Sequence, residues 1–313
     1  MRISTNTFIE GSVGRLTDLQ SKISKVQQQI STGKRLITPS DDPIAAAQVV
    51  EINQSIAVNE QFSKNRMQLA NNLNQTDVTL SNITDVLQNI HEIVVSASNG
   101  LNSAEDKLVM ATTLQGQFDQ LLSLANSSDS AGNYTFAGNN SSSQPFVKNA
   151  EGFWEYLGSQ ENTIVNVDHN STLSSTIVGS SLFANAKAPT LSDNLGQDQS
   201  IDNIFNQLSI AIEALKNPTT TTNFDASISN LASYFDLALN QVNAVRSDVG
   251  NRLKMIDQLD SLGSSRGLQL TQSLSNLQDL DAASRSKMSM SGLVTSPCTS
   301  SSRPSRCIAS RVL

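Results

Sequence analysis

Two histidines, two cysteines and a few clustered charges are the groups through which this 313-residue chain could do chemistry. His91 follows an apolar helix position, Ile90, and His169 follows Asp168; neither has cysteines or acids at metal-ligand spacing. Cys298 and Cys307 have no histidine or further cysteine nearby, so they offer no zinc set and, both lying near the end, cannot staple the fold. Asp41 and Asp42 form an adjacent carboxylate pair, but acids directly before Pro43 are accounted for by helix capping and the helix dipole. Gly132 and Gly138 flank Tyr134 to Ala137 without preceding a helix, which removes the phosphate-cradle reading. Arg246 and Arg252, around Gly250, can reach acids on a neighbouring helix or subunit, the alternative being a solvated helix face. Exposed ion pairs of that kind contribute only about 0–1 kcal/mol each, so their use is register more than stability. The expectation is a protein with no catalytic residue, no metal ligand and no cofactor, hence not an enzyme. The alternative in a different class is a secreted enzyme with its site in the central segment, where Glu151, Glu155, Glu161 and Asp168 are the available acids. A concave pocket of converging acids between Tyr134 and Phe183 would be its sign.

The elements that would position these groups are mainly helical. Leu69, Leu73, Thr76, Leu80, Ile83, Leu87, Ile90 and Val94 alternate spacings of four and three, which keeps one apolar stripe on one helix face. No Pro or Gly interrupts the run between Pro43 and Gly100, so one helix of about 87 Å is expected at 1.5 Å per residue. Such a seam needs partners. Upstream, Leu16, Leu19, Ile23, Val26 and Ile30 follow the same spacing from Val13 on, and Gly33 ends that helix. Leu36 to Asp42 is a connector, with Asp42 the N-cap and Pro43 the first helical residue. Downstream, Asn99-Gly100 supplies a turn, and Ser103 with Asp106 makes a capping box. Leu108, Ala111, Leu114 or Gln115, Phe118, Leu122 and Ala125 then give a returning helix its packing face.

Composition changes after Ala125. Ser, Asn and Gly become dense, and short apolar runs at Tyr134 to Ala137, Phe153 to Leu157, Thr163 to Val167 and Ile177 to Phe183 read as strands of a small β-rich insert with its own modest core around Trp154. Helix resumes at Ile201 to Leu215 and stops at Asn217-Pro218. A second long stripe runs through Phe224, Ile228, Leu231, Phe235, Leu239, Val242, Val245, Val249, Leu253 and Ile256. The fold class is therefore mainly α: a long antiparallel coiled-coil or helical-bundle rod with a small inserted β-rich domain. The expected domains are residues 1–40, an inner terminal helix and connector; 41–130, the first rod helices; 131–199, the outer insert; 200–263, the later rod helices; 264–281, the start of a C-terminal inner helix; and 282–313, an atypical tail.

A hydrophobic content of 38% with only 4% aromatic residues suits thin helical layers more than a large globular core. The net charge of -7 and the lack of a basic stripe on the two largest helical regions argue against a nucleic-acid partner. No run has the length of a membrane span, and no charged n-region followed by an apolar h-region marks a cleavable signal.

Three segments resemble one family: Met1-Arg2-Ile3-Ser4-Thr5, the connector from Ile30 to Ala47 with its Thr38-Pro39-Ser40-Asp41-Asp42-Pro43 core, and Tyr134-Thr135-Phe136-Ala137-Gly138. Together they resemble the bacterial flagellin superfamily over roughly Met1 to Asp281. The second and third look more like its member at the hook–filament junction than like filament flagellin. The resemblance implies a structural subunit of the bacterial flagellum, secreted through the flagellar type III route without a cleavable signal, with filament flagellin as the alternative. It implies as partners further copies in a ring, the hook-side junction protein, flagellin and a flagellar export chaperone. The implied assembly residues are Leu16, Leu19, Ile23, Val26 and Ile30 at one end, with Leu268, Leu274 and Leu277 approaching from the other. Arg246 and Arg252 are candidate inter-helix or inter-subunit contacts.

The tail departs from this pattern. After Asp281 there are five bases, Arg285, Lys287, Arg303, Arg306 and Arg311, and no acid; the totals of 21 bases and 28 acids leave 16 against 28 before it. Both cysteines sit here, serine is frequent, and no three-four seam continues past Leu280. The reading is a tail from a shifted frame, or otherwise replaced, from about Ala282, with a naturally divergent disordered tail as the alternative; sequencing of the coding DNA tests it, and a shifted frame puts ring assembly and chaperone binding in doubt.

Overall fold

The computed structural model describes residues 2–98, 102–129, 131–183, 203–216 and 224–280, with side chains from 8 onward and, in the last stretch, from 231. Asn99-Gly100, the helix stop at Pro218, Cys298, Cys307 and the whole tail lie outside the described residues. By internal contacts the chain divides into two units, Met1–Val58 with Arg266–Leu313, and Asn59–Ser265.

In the first unit, α1 spans Arg2–Thr32. Gly33 ends it with φ 70°, its N–H donating to the Gln29 carbonyl, as a left-handed residue after a helix does. The connector then pairs with the end of the last helix. The Arg35 N–H donates to the Gln278 carbonyl, the Leu280 N–H donates to the Gly33 carbonyl, and Arg35 Nη2 reaches the Leu277 carbonyl at 3.0 Å. Asp42 begins α2 as expected: its Oδ1 accepts from the Ala45 N–H, and Pro43 is the first helical residue. Asp41 has a different job from capping. Its carboxylate accepts from the backbone N–H groups of Ile37 and Thr38 and pairs with Lys25 of α1.

The helix α2, Pro43–Ala97, and the last helix, α6, Phe224–Gln278, each run 55 residues without a break and contribute to both units. The α6 helix crosses the 263/264 position without interruption, so the stripe that was traced to Ile256 belongs to a longer element.

In the second unit every one of the eight seam residues from Leu69 to Val94 is buried, Thr76 included, whose hydroxyl donates to the Asn72 carbonyl. From α6, Leu231, Tyr234, Phe235, Ala238, Val242, Val249 and Ile256 join the same core. The α3 helix, Ala104–Ala125, opens with a capping box in which Ser103 and Asp106 exchange hydrogen bonds with each other's backbone N–H. It buries Ala111, Leu114, Phe118, Leu121 and Ala125. Leu108, expected on the packing face, is exposed, while Leu121 is fully buried beside Leu122, which packs half-buried against the same core. The α5 helix, Ile204–Lys216, packs on α3 and is buried on more than one face.

The central segment is β-rich, and two of the four expected runs form strands, Phe153 to Leu157 over Trp154–Tyr156 and Thr163 to Val167 over Ile164–Asp168. Two antiparallel hairpins form, β1 Phe146–Lys148 with β2 Trp154–Tyr156, and β3 Ile164–Asp168 with β4 Ser171–Ser174. Tyr134 to Ala137 makes only single bridges, Tyr134 to Ser128 and Ala137 to Val178, while Gly179–Phe183 is a short helix, α4. The runs were apolar because Phe136, Ala137, Val178, Leu182 and Phe183 are buried, not because they are strands. Nor is the core of the insert separate. Phe146 and Phe183 stack against Phe205 of α5 at 5.0 and 5.4 Å, and Phe118 of α3 meets Trp154 at 5.7 Å, so helices and insert share one aromatic cluster.

Candidate functional site

In the first unit α1 carries its apolar stripe largely uncovered. Phe8, Ile9, Val13, Leu16 and Leu19 are exposed, Leu16 by 67% and Leu19 by 56%. Ile23 and Val26 are half-buried, and Ile30 is exposed. At the other end, Leu268 is 75% exposed, while Leu274 and Leu277 are half-buried beside the connector. Each exposed leucine forgoes roughly 1.5–3 kcal/mol of burial, so the stripe is a contiguous apolar surface of the kind that marks interaction sites.

In the second unit Arg246 and Arg252 face groups of their own chain. Arg246 Nε lies 3.3 Å from Asp77 Oδ1 of α2. Arg252 pairs with Asp248 one turn back on α6 and donates to the Ser174 carbonyl at the end of β4, 3.1 Å away. Gly250 between them is exposed and has open space where a side chain would go, so nothing around it requires a glycine.

The polar residue that the sequence reading missed is Arg66. It is 2% exposed, and its guanidinium donates from Nε and Nη2 to Asp260 Oδ1 at 3.2 and 3.0 Å and from Nη1 to the Val167 carbonyl of β3 at 2.9 Å. Gly263 leaves the room: a Cβ there would stand 2.5 Å from Arg66 Nη2. A signal was present, since Arg66, Leu69 and Leu73 continue the three-four spacing backward and place an arginine in the apolar stripe. Two asparagines were missed as well. Asn206 of α5, 2% exposed, accepts the Trp154 N–H on Oδ1 and donates to the Trp154 carbonyl. Asn126 after α3 does the same for Phe146. Each side-chain amide stands in for a neighbouring strand.

The groups weighed for chemistry are placed apart. His91 Nε2 faces Asp236 Oδ1 at 3.4 Å, and the His169 ring meets the edge of Phe62 at 5.1 Å. A cleft of about 220 Å³ between α2 and the loops of the insert is lined by amides, hydroxyls and a single acid, Asp129. The Asp129 carboxylate is committed to the N–H groups of Asn133 and Ala131 and to the Asn133 amide, and the first of these leads in holding it below the ordinary carboxylate range. Glu151, Glu155, Glu161 and Asp168 do not line it. Among the described residues no three His, Cys, Asp or Glu side chains gather as a metal set, and no helix is long and apolar enough to cross a membrane.

Comparison with known proteins bears on the same regions. The family described as the bacterial flagellin N-terminal helical region matches residues 3–141. The flagellar hook-associated protein 3 of Escherichia coli K12 is 36% identical over 286 residues, 90% of this chain and 89% of the relative, and that of Salmonella typhimurium LT2 matches to the same extent. A Bacillus subtilis flagellin is 25% identical over 288 residues. Among solved structures, a putative flagellar hook-associated protein from Vibrio parahaemolyticus superposes with a TM-score of 0.67, over 76% of this chain and all of that one, and a flagellar hook-associated protein 3 from Legionella pneumophila with 0.64, over 73% and 98%. Both are 20% identical and show the common fold of long helices with small sheets. On 36% identity across nine-tenths of its length, the chain belongs to the flagellar hook-associated protein 3 family of the bacterial flagellin superfamily.

Proposed function

We propose that this chain is a structural, non-enzymatic subunit of the bacterial flagellum, forming the junction between hook and filament. The observation that carries the reading is 36% identity to the Escherichia coli flagellar hook-associated protein 3 across nearly the whole of both chains, against 25% to the Bacillus subtilis flagellin. The exposed stripe of α1 supports an assembly role. In this reading Leu16, Leu19, Ile23, Val26 and Ile30, with Leu268, Leu274 and Leu277, contact further copies in a ring, the hook-side junction protein and flagellin. Arg246 and Arg252 sit near enough to the surface to add polar contacts between subunits. The chain reaches the cell exterior through the flagellar export channel, and an export chaperone engages it only where an intact C-terminal helix replaces residues 282–313.

Complementation of a strain lacking flagellar hook-associated protein 3 tests this. The chain is expressed with its own residues 282–313 and, in parallel, with the corresponding C-terminal segment of the Escherichia coli relative. Filaments growing on hooks with the second form support the junction role. Failure of both forms, or growth of long filaments by the purified chain alone, overturns it, the latter in favour of filament flagellin. The double variant Leu16→Asp with Leu19→Asp, made in the complementing form, is expected to abolish filament attachment while shifting monomer stability by no more than about 0.5 kcal/mol, because both side chains already face solvent.

A further inference from the structure

Within the second unit polar contacts join α2 to α6, among them Asn59 to the Gly263 carbonyl, Arg66 to Asp260, Asp77 to Arg246, and His91 to Asp236. The α6 numbers fall as the α2 numbers rise, so the helices run antiparallel. Their apolar stripes repeat with a spacing near seven residues, and such a seam fixes its own register poorly: sliding α6 by a heptad again places apolar against apolar. The contacts at Arg66 discriminate. A slide of seven residues one way would bring Gly267 to the place of Asp260 and Leu270 to that of Gly263. The other way would bring Leu253 and Ile256. In either slipped state the buried guanidinium has no carboxylate from α6 and meets a branched side chain where the glycine notch stood. Asp77 would face Leu253 or Leu239 instead of Arg246.

We infer that Arg66, seated in the Gly263 notch and bonded to Asp260 and the Val167 carbonyl, is the register key that selects one antiparallel alignment of α2 and α6. Three observations converge on it. The guanidinium is the one charge among the buried residues of α2, in a largely apolar seam where an unpaired charge is strongly disfavoured. The notch admits no side chain at position 263 without moving Arg66. The third is the tie to the β3–β4 hairpin, which Asn65 and Arg66 hold to α2 through the Asn166 and Val167 carbonyls while Arg252 holds it to α6 through Ser174. The hairpin thus spans both helices and fits them in one alignment only. A buried polar residue used this way trades stability for uniqueness, as a single polar residue in a coiled-coil seam does. Arg66 is a positioning residue, and its removal changes which alignments are populated more than how much helix is formed.

Disulfide trapping in the full chain tests this, in a Cys298→Ser, Cys307→Ser background. His91→Cys with Asp236→Cys reports the native alignment, and His91→Cys with Asn243→Cys or Ser229→Cys reports the two heptad slips. With Arg66 in place only the first pair is expected to cross-link. Arg66→Met removes the buried charge from the slipped states, and at least about a tenfold rise in one slipped product is expected with helix content by circular dichroism unchanged. Gly263→Ala keeps every charge but closes the notch, so it too raises a slipped product; it decides the matter alone if Arg66→Met does not fold. Slipped products at background level in the folded variants overturn the inference and leave the alignment to apolar packing and the connections between helices.

Discussion

A Cβ at position 138 would stand 2.5 Å from the Ser159 carbonyl oxygen and 2.8 Å from that of Glu161, and φ there is +63°. Both facts demand glycine, which explains the end of the Tyr134 to Gly138 segment in physical terms. Gly138→Ala is expected to lower stability by more than about 1 kcal/mol, read as a drop in urea midpoint at unchanged slope. Asp41 is a second residue with a particular task. Pairing with Lys25, followed by the N–H groups of Thr38 and Ile37, holds its carboxyl far below its ordinary value of 3.8. The folded state therefore favours the ionised form, and the stability this confers is present above pH 3.8 and lost as the pH falls through the folded value. Wild type is expected to exceed Asp41→Asn in urea midpoint at neutral pH, with the difference narrowing steadily below about pH 4.

Among the elements, the short strands have little to stabilise them on their own. Isolated two-stranded hairpins are marginal in water, and here each docks through backbone groups that another element satisfies. Asn206, itself buried, gives half-buried Trp154 both of its missing hydrogen bonds. Asn206→Ala leaves a partly buried N–H and carbonyl unmatched and is expected to cost about 1–3 kcal/mol in thermal or urea unfolding. Asn206→Asp retains one acceptor and loses the donor, so a smaller fall is expected from the same measurement. The helices differ from the strands in that their partners were visible in advance: the stripe from Leu69 to Val94 is buried at every position, because a three-four spacing leaves a helix only one face to bury.

At the scale of the whole molecule, burial is unevenly shared. The α2 residues from Leu69 to Val94 face a continuous core, while α1 leaves Phe8 to Leu19 largely open. Amide exchange reports this directly: in the isolated chain α1 amides are expected to exchange at least about a hundredfold faster than those of α2 between 69 and 94. Equal protection of the two helices would mean that α1 is covered without any partner, and would remove the main support for assembly through its stripe.

The sequence by itself determined the helices, their caps at Asp42 and Ser103, the stop at Gly33 and the family, since each depends on neighbours three or four residues apart or on short contiguous motifs. Only the tertiary structure decided the rest. Apolar runs such as Ile177 to Phe183 state that a segment is buried but not its secondary structure, and here part of that run became the helix α4. The separate core expected for the insert merged with Phe118 and Phe205 because aromatic rings from distant segments meet only in three dimensions. Arg66 was overlooked for the same reason: its place in the stripe was legible, but Asp260 and Gly263 lie nearly two hundred residues away, and only folding brings a carboxylate and an empty notch to one guanidinium.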